Sequence, residues 1–135
     1  MEDLVETSFV RDRVFSAVVD DHVLVMDSPE SGPSAGPGPK KMMLASLAAC
    51  TGIDVVSILE KMQVTYSQFK ISTRAVLTED HPKVYSEIYI IYEIKVEEEN
   101  QAKVKRAVDL SVEKYCGVMA MFEKFATVKT EIRFI

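Results

Sequence analysis

Residues 42–59 read MMLASLAACTGIDVVSIL, an apolar run without proline. The run is about as long as a membrane span, ~18 residues, but Asp54 and three hydroxyl side chains interrupt it. On a helix, the polar residues recur at steps of three or four and form a single stripe, while the other faces are apolar. The stripe consists of Ser46, Cys50, Asp54, Ser57 and Lys61. The pattern predicts a buried central helix with one polar seam that carries Cys50, and no membrane partner.

The segment before this helix predicts a hairpin followed by a long loop. Ser28–Pro39 holds four of the five prolines and three of the five glycines, a density that neither a helix nor a central strand tolerates. Val14–Val19 and His22–Met26 are β-rich runs joined by an acidic dipeptide, which is typical of two strands and a tight turn.

After the helix the apolar residues recur every second position. Phe69–Leu77 and Val84–Val96 are therefore predicted to form an antiparallel hairpin. The acids and the asparagine of Glu97–Asn100 predict a helix start, and that helix is expected to end near Cys116 and Gly117. Its buried face is predicted to carry Val104, Ala107, Val108, Ser111 and Tyr115.

The C-terminal segment completes an α+β order. Val118–Phe125 predicts a further helical turn or two, and Val128–Phe134 alternates as a terminal strand. We expect a single domain over residues 1–135, with helices covering an antiparallel sheet. A helix as apolar as residues 42–59 needs more cover than one 135-residue chain offers, so a homodimer is predicted.

Composition limits the partners and cofactors. A net charge of −5 with interspersed acids argues against a nucleic-acid surface. Two cysteines and two histidines, all far apart, give no metal-ligand spacing, so neither metal nor cofactor is expected. The acidic N-terminus differs from a secretory signal, so we expect a cytoplasmic protein with both cysteines reduced.

Cys50 and Cys116 are the candidate catalytic residues. A free cysteine in an apolar helix is most often a small buried hydrophobe. A peroxidatic cysteine instead needs a cation that stabilises its thiolate and a second thiol that resolves its sulfenic acid. The cations considered for Cys50 are Arg11, Arg13, Lys40 and Lys41. Asp54, one turn after Cys50, is expected to cap or pair within the helix packing.

Three stretches resemble the osmotically inducible protein C family and the related organic hydroperoxide resistance proteins. The first is Gly38 and Pro39 followed by LASLAACTGIDVVSILEKM at residues 44–62. The second is TEDHPKVY at residues 78–85, similar to the family's mid-chain turn and strand, and the third is LSVEKYC at residues 110–116, similar to its second-cysteine motif. The resemblance runs in order from about residue 14 to residue 134.

The resemblance implies an OsmC-like α+β fold: antiparallel sheets around two long central helices, in an intertwined homodimer with its active site at the interface. It also implies a thiol-dependent peroxidase that reduces organic hydroperoxides and hydrogen peroxide. In that scheme Cys50 is the peroxidatic thiol, Cys116 is the resolving thiol, and an external dithiol reduces the pair.

One departure from the family leaves a second function open. Family peroxidases carry a glutamate shortly after the proline that precedes the cysteine helix, and this chain has Lys40 and Lys41 there. The family's thiolate partner is an N-terminal arginine, to which Arg11 or Arg13 could correspond. Lys41 would lie ~13 Å from Cys50 along one helix, at 1.5 Å per residue. The alternative is a non-catalytic relative that binds a small apolar or thiol-bearing ligand at the dimer interface.

Overall fold

The computed structural model describes all residues, 1–135, and the chain divides into two compact units. Unit 1 is Met1–Leu44 and unit 2 is Ala45–Ile135. The strands are β1 Glu6–Arg11, β2 Val14–Val19, β3 His22–Met26, β4 Tyr66–Leu77, β5 Tyr85–Val96 and β6 Thr127–Phe134. The helices are α1 Pro39–Lys61, α2 Gln101–Leu110 and α3 Gly117–Phe122. The single domain expected over residues 1–135 stays a prediction.

Unit 1 is a three-stranded antiparallel sheet in the order β1-β2-β3. The predicted hairpin of β2 and β3 is confirmed, with Phe15 opposite Met26 and Val19 opposite His22. Strand β1 was not predicted. Every residue of β1 is exposed, so it carries no alternation between a buried and a solvent face by which it could be recognised.

The predicted loop after β3 is confirmed, and two hydrogen bonds made by Asp27 fasten it. The amide of Asp27 donates to the carbonyl of Pro37 at 3.1 Å, and the amide of Ala35 donates to the Asp27 carboxylate at 2.9 Å. Gly36 lies against β3, where a Cβ would be 2.2 Å from the carbonyl oxygen of Val25. Only glycine fits this close approach.

Unit 2 contains a mixed sheet in the order β4-β5-β6. The antiparallel hairpin of β4 and β5 is confirmed, with Ile71 opposite Tyr92. The expectation of purely antiparallel sheets is wrong, because β6 pairs with β5 in parallel. The chain passes through helical segments between these two strands, and such a crossover returns the chain in the same direction.

Helix α1 buries one row of side chains within this chain. Leu47, Thr51, Val55 and Leu59, spaced four apart, have no exposed surface. They belong to the same core as the inward residues of β5, which are Ile88, Ile90, Tyr92 and Ile94. The other apolar positions of α1 are only partly covered within the single chain, since Ile53 is 68% exposed and Val56 is 37% exposed. Burial of this surface by a partner chain stays a prediction.

The second predicted helix is interrupted. A 3₁₀ turn at Glu98–Asn100 leads into α2, a π-helical turn follows at Ser111–Tyr115, and α3 begins after Cys116. Tyr115 is 54% exposed, against the prediction, because a π turn repeats after five residues and therefore places Cys116 one turn beyond Ser111. The chain thus has one helix longer than ten residues, α1. The expectation of two long central helices in a homodimer stays a prediction.

By length and composition, α1 is also apolar enough to cross a membrane, and 28% of its most apolar window is buried within the chain. This is weak evidence, since the core helix of a soluble protein has the same features. The prediction that the protein has no membrane partner stays a prediction.

Candidate functional site

The structure brings the two candidate cysteines together. Cys50 lies on α1 and is half-buried, whereas Cys116 follows the π turn and is 3% exposed. Both are free thiols, and the Cys116 thiol lies close enough to the side chain of Cys50 for the two to interact. The more accessible cysteine of such a pair can react first with a substrate from solvent and then with the buried thiol beside it.

Cys116 occupies a helix cap. Its sulfur accepts a hydrogen bond from the amide of Met119 at 3.3 Å, so it caps α3. Burial, together with the hydrogen bond to Cys50, raises the pKa of Cys116 to about 12, and the charge of Asp54 acts in the same direction. The Met119 amide opposes this shift but does not reverse it. At neutral pH Cys116 is therefore a protonated thiol.

Beside the cysteines runs a buried chain of three hydroxyls that ends on a carboxylate. The hydroxyl of Thr51 is 2.8 Å from that of Tyr92 and 2.7 Å from that of Ser111. Ser111 in turn donates to the Asp54 carboxylate at 2.9 Å. The expectation that Asp54 pairs within the helix packing is confirmed. Burial raises the pKa of Tyr92 to about 12, and the charges of Cys116 and Asp54 add to this effect.

The sequence interpretation missed this chain. The sequence shows Thr51 only as one of the hydroxyls that interrupt the apolar run, Tyr92 only as a position within the predicted strand Val84–Val96, and Ser111 only as one position of a helix face. A signal was present for Thr51, which is the only hydroxyl in the row Leu47, Thr51, Val55, Leu59. No spacing rule, however, could connect Thr51 with Tyr92 and Ser111, which lie 41 and 60 positions further along the sequence.

Two of the candidate cations form ion pairs with carboxylates. In unit 1, Arg11 pairs with Asp12 at 3.1 Å and Arg13 pairs with Glu30. Both arginines line a cavity of about 410 Å³ with Asp27. Lys41 is exposed in the first turn of α1, nine residues before Cys50. A role of any of these residues toward Cys50 stays a prediction.

Comparison with known proteins assigns the family. The model of the OsmC-like protein family matches residues 31–131. Protein YhfA of Escherichia coli strain K12 is 37% identical over 103 residues, which are 76% of this chain and 75% of that protein.

Solved structures share the fold. A hypothetical protein of Aquifex aeolicus has a TM-score of 0.87 at 30% identity and covers 100% of this chain and 98% of its own. The organic hydroperoxide resistance protein OhrB of Bacillus subtilis has a TM-score of 0.65 at 18% identity, covering 98% of each chain. The two cysteine motifs, the α+β fold and the family match agree, and the chain belongs to the OsmC-like family.

Proposed function

We propose that the protein is a thiol-dependent peroxidase that reduces organic hydroperoxides and hydrogen peroxide. The observation that carries this proposal is the contact between a half-buried Cys50 and a buried Cys116. Membership of the OsmC-like family supports a redox role related to hydroperoxides.

The reaction has two steps on the protein. The Cys50 thiolate attacks the O–O bond, so that a sulfur–oxygen bond forms, the O–O bond breaks and the leaving alkoxide takes a proton to become an alcohol. Cys116 then attacks the sulfur of the Cys50 sulfenic acid. The disulfide forms, and the hydroxyl leaves with the Cys116 proton as water. An external dithiol reduces the disulfide by two thiol–disulfide exchanges.

The functional unit in this proposal is a homodimer in the cytoplasm. A groove of about 590 Å³ lies between α1 and β4, and its lining is mostly apolar. Ala49, Ile53 and Val56 contribute to it from α1, and Phe69 and Ile71 from β4. A second copy that covers this surface would bury the apolar side of α1, and the reducing cytoplasm would keep both thiols ready.

Arg11, Arg13 and Lys41 are our candidates for the positive charge that stabilises the Cys50 thiolate. Replacing each with glutamine in turn removes the charge and keeps a polar side chain. The variant that loses the partner of the thiolate is expected to slow the first oxidation of Cys50 while leaving disulfide closure unchanged, as read by quenched-flow mass analysis.

The test of the proposal is intact-mass analysis after one equivalent of an organic hydroperoxide. The wild-type protein should lose two hydrogens and gain no oxygen, as a Cys50–Cys116 disulfide requires. Cys50→Ser should abolish peroxide consumption, whereas Cys116→Ser should still allow one oxidation that stops at sulfenic acid or proceeds to sulfinic acid. Equal loss of the first oxidation in both variants would contradict the assigned roles.

A second candidate function is non-catalytic binding of a small apolar or thiol-bearing ligand. Lys40 and Lys41, at the place where family peroxidases carry a glutamate, favour it. A wild-type protein that keeps both thiols reduced in the hydroperoxide experiment would select this alternative.

A further inference from the structure

The proposed reaction leaves one buried feature of unit 2 without a role, the hydroxyl chain of Tyr92, Thr51 and Ser111 that ends on Asp54. Thr51, Tyr92 and Ser111 have no exposed surface. Buried hydroxyls are costly unless each is paired, so a fully connected set of this kind fixes the positions of the segments that carry it.

The number of protons gives the chain a direction. Each hydroxyl has one proton to donate, and a carboxylate can only accept. Ser111 therefore donates to Asp54, Thr51 donates to Ser111, and Tyr92 donates to Thr51, so that each link has one donor and one acceptor. Ser111 makes the bond to the charged group, which is the strongest kind of link in such a chain.

Ser111 is bound on two sides at once. Its side chain reaches α1 at Thr51 and Asp54, the residues one and four positions after Cys50. Its carbonyl accepts the amide of Cys116 at 2.9 Å, which is the bond that closes the π turn. One residue thus connects the helix that carries Cys50 with the backbone of Cys116.

We propose that Ser111 is the positioning residue for disulfide closure, because it holds the Cys116 turn against the part of α1 that carries Cys50. This inference rests on the proposed function for its biological meaning, but the closure itself does not require peroxide. Holding two reacting sulfurs in place replaces an encounter with an intramolecular step, and the advantage is lost when the connection is loosened.

The first experiment measures the closure equilibrium without peroxide. Reduced protein is equilibrated with mixtures of reduced and oxidised dithiothreitol, quenched in acid, alkylated and weighed. Ser111→Ala is expected to lower the equilibrium constant for disulfide formation about tenfold, which corresponds to about 30 mV for a two-electron couple.

Three variants separate positioning from a general loss of packing. Ser111→Thr keeps the hydroxyl, and Asp54→Asn keeps an acceptor for it, so both should stay within about threefold of the wild type. Thr73→Val removes a buried hydroxyl that has no partner and should leave the equilibrium unchanged. Melting temperatures are recorded for all variants. If Ser111→Ala does not fold, the double variant Thr51→Val with Asp54→Leu removes both side-chain partners of Ser111 on α1 and should lower the equilibrium constant in its place.

The second experiment uses one equivalent of an organic hydroperoxide in a single turnover. Ser111→Ala should oxidise Cys50 at the wild-type rate but close the disulfide about tenfold more slowly, so that sulfinic acid accumulates when peroxide is added in excess. A wild type that closes its disulfide in the dithiothreitol buffer but ignores peroxide would refute the proposed function and not this inference. The inference would be overturned by a folded Ser111→Ala that keeps the wild-type equilibrium constant. If Ser111→Ala does not fold, a folded double variant of Thr51 and Asp54 with that constant would overturn it.

Discussion

Cys116 is the buried member of the thiol pair, and its burial controls when it ionises. Its pKa is raised from 9.0 to about 12 by burial and by the hydrogen bond to Cys50. Cys50, in contrast, is half-buried. The two cysteines differ in exposure because different elements carry them, and the more exposed Cys50 is the one proposed to react with peroxide first.

The raised pKa of Cys116 predicts a loss of stability in alkali. A thiol whose pKa is higher in the folded state contributes its full stability below the unfolded value of 9.0 and loses it as the pH rises toward 12. The free energy of unfolding of the reduced protein should therefore fall above pH 9, more steeply than that of Cys116→Ser by up to ~1.4 kcal/mol per pH unit.

Denaturant unfolding at pH 7 to 11 under a phosphine reductant measures this difference. Serine also caps helices well, so Cys116→Ser keeps the cap of α3 and serves as a matched reference. Parallel curves for the two proteins over the whole range would show that Cys116 ionises as readily in the folded chain as in the unfolded one.

At the scale of elements, close backbone approaches and the π turn determine the local geometry. The loop between β3 and α1 is held where Gly36 meets the backbone of Val25. The π turn determines that Cys116, and not Tyr115, is buried. Both features are local. The first determines where the loop lies against β3, and the second determines which residue after α2 is buried.

Gly36→Ala should destabilise unit 1. The added Cβ would lie 2.2 Å from the carbonyl oxygen and 2.8 Å from the carbonyl carbon of Val25, and backbone cannot move aside as a flexible side chain can. We expect a cost of roughly 3 kcal/mol in denaturant unfolding.

Gly117→Ala is the control for that substitution. Gly117 opens α3, and a Cβ there would meet nothing within 4 Å. Alanine should therefore leave stability unchanged or raise it by about 0.5 kcal/mol through the lower entropy of the unfolded chain. A Gly36→Ala protein as stable as Gly117→Ala would mean that the loop can move away from β3.

At the scale of the whole molecule, α1 has an apolar surface that a single chain leaves uncovered. Its inner row is fully buried, yet Ile53 and Val56 remain exposed beside an apolar groove. Exposed apolar surface does not stabilise a monomer. A second copy that covers this surface would stabilise the assembly by about 25 cal/mol per Å² of apolar area removed from water.

The protein should sediment as a dimer at micromolar concentration, and Ile53→Lys should shift it to monomer. Ile53 is 68% exposed in the single chain, so lysine there leaves the fold of the chain intact but places a charge in the proposed interface. Val84→Lys, at an apolar position in the turn before β5 that is 46% exposed, should remain dimeric. A wild-type protein that sediments as a folded monomer would contradict the proposed interface.

The sequence by itself determined the order of elements from β2 onward, both hairpins, the long loop, helix α1 and the two cysteines. These features depend on local rules, such as periodicity of two or about four and the exclusion of proline and glycine from regular elements. It also carried the family resemblance, because the cysteine motifs are contiguous stretches of chain.

Only the tertiary structure decided what meets across the chain. The parallel pairing of β6 with β5 and the contact of Cys116 with Cys50 both join residues far apart in sequence. The link from Ser111 to Thr51 spans 60 positions. Such contacts depend on how helices and strands pack as whole bodies, and side-chain periodicity records which face of an element is buried but not which partner lies against it.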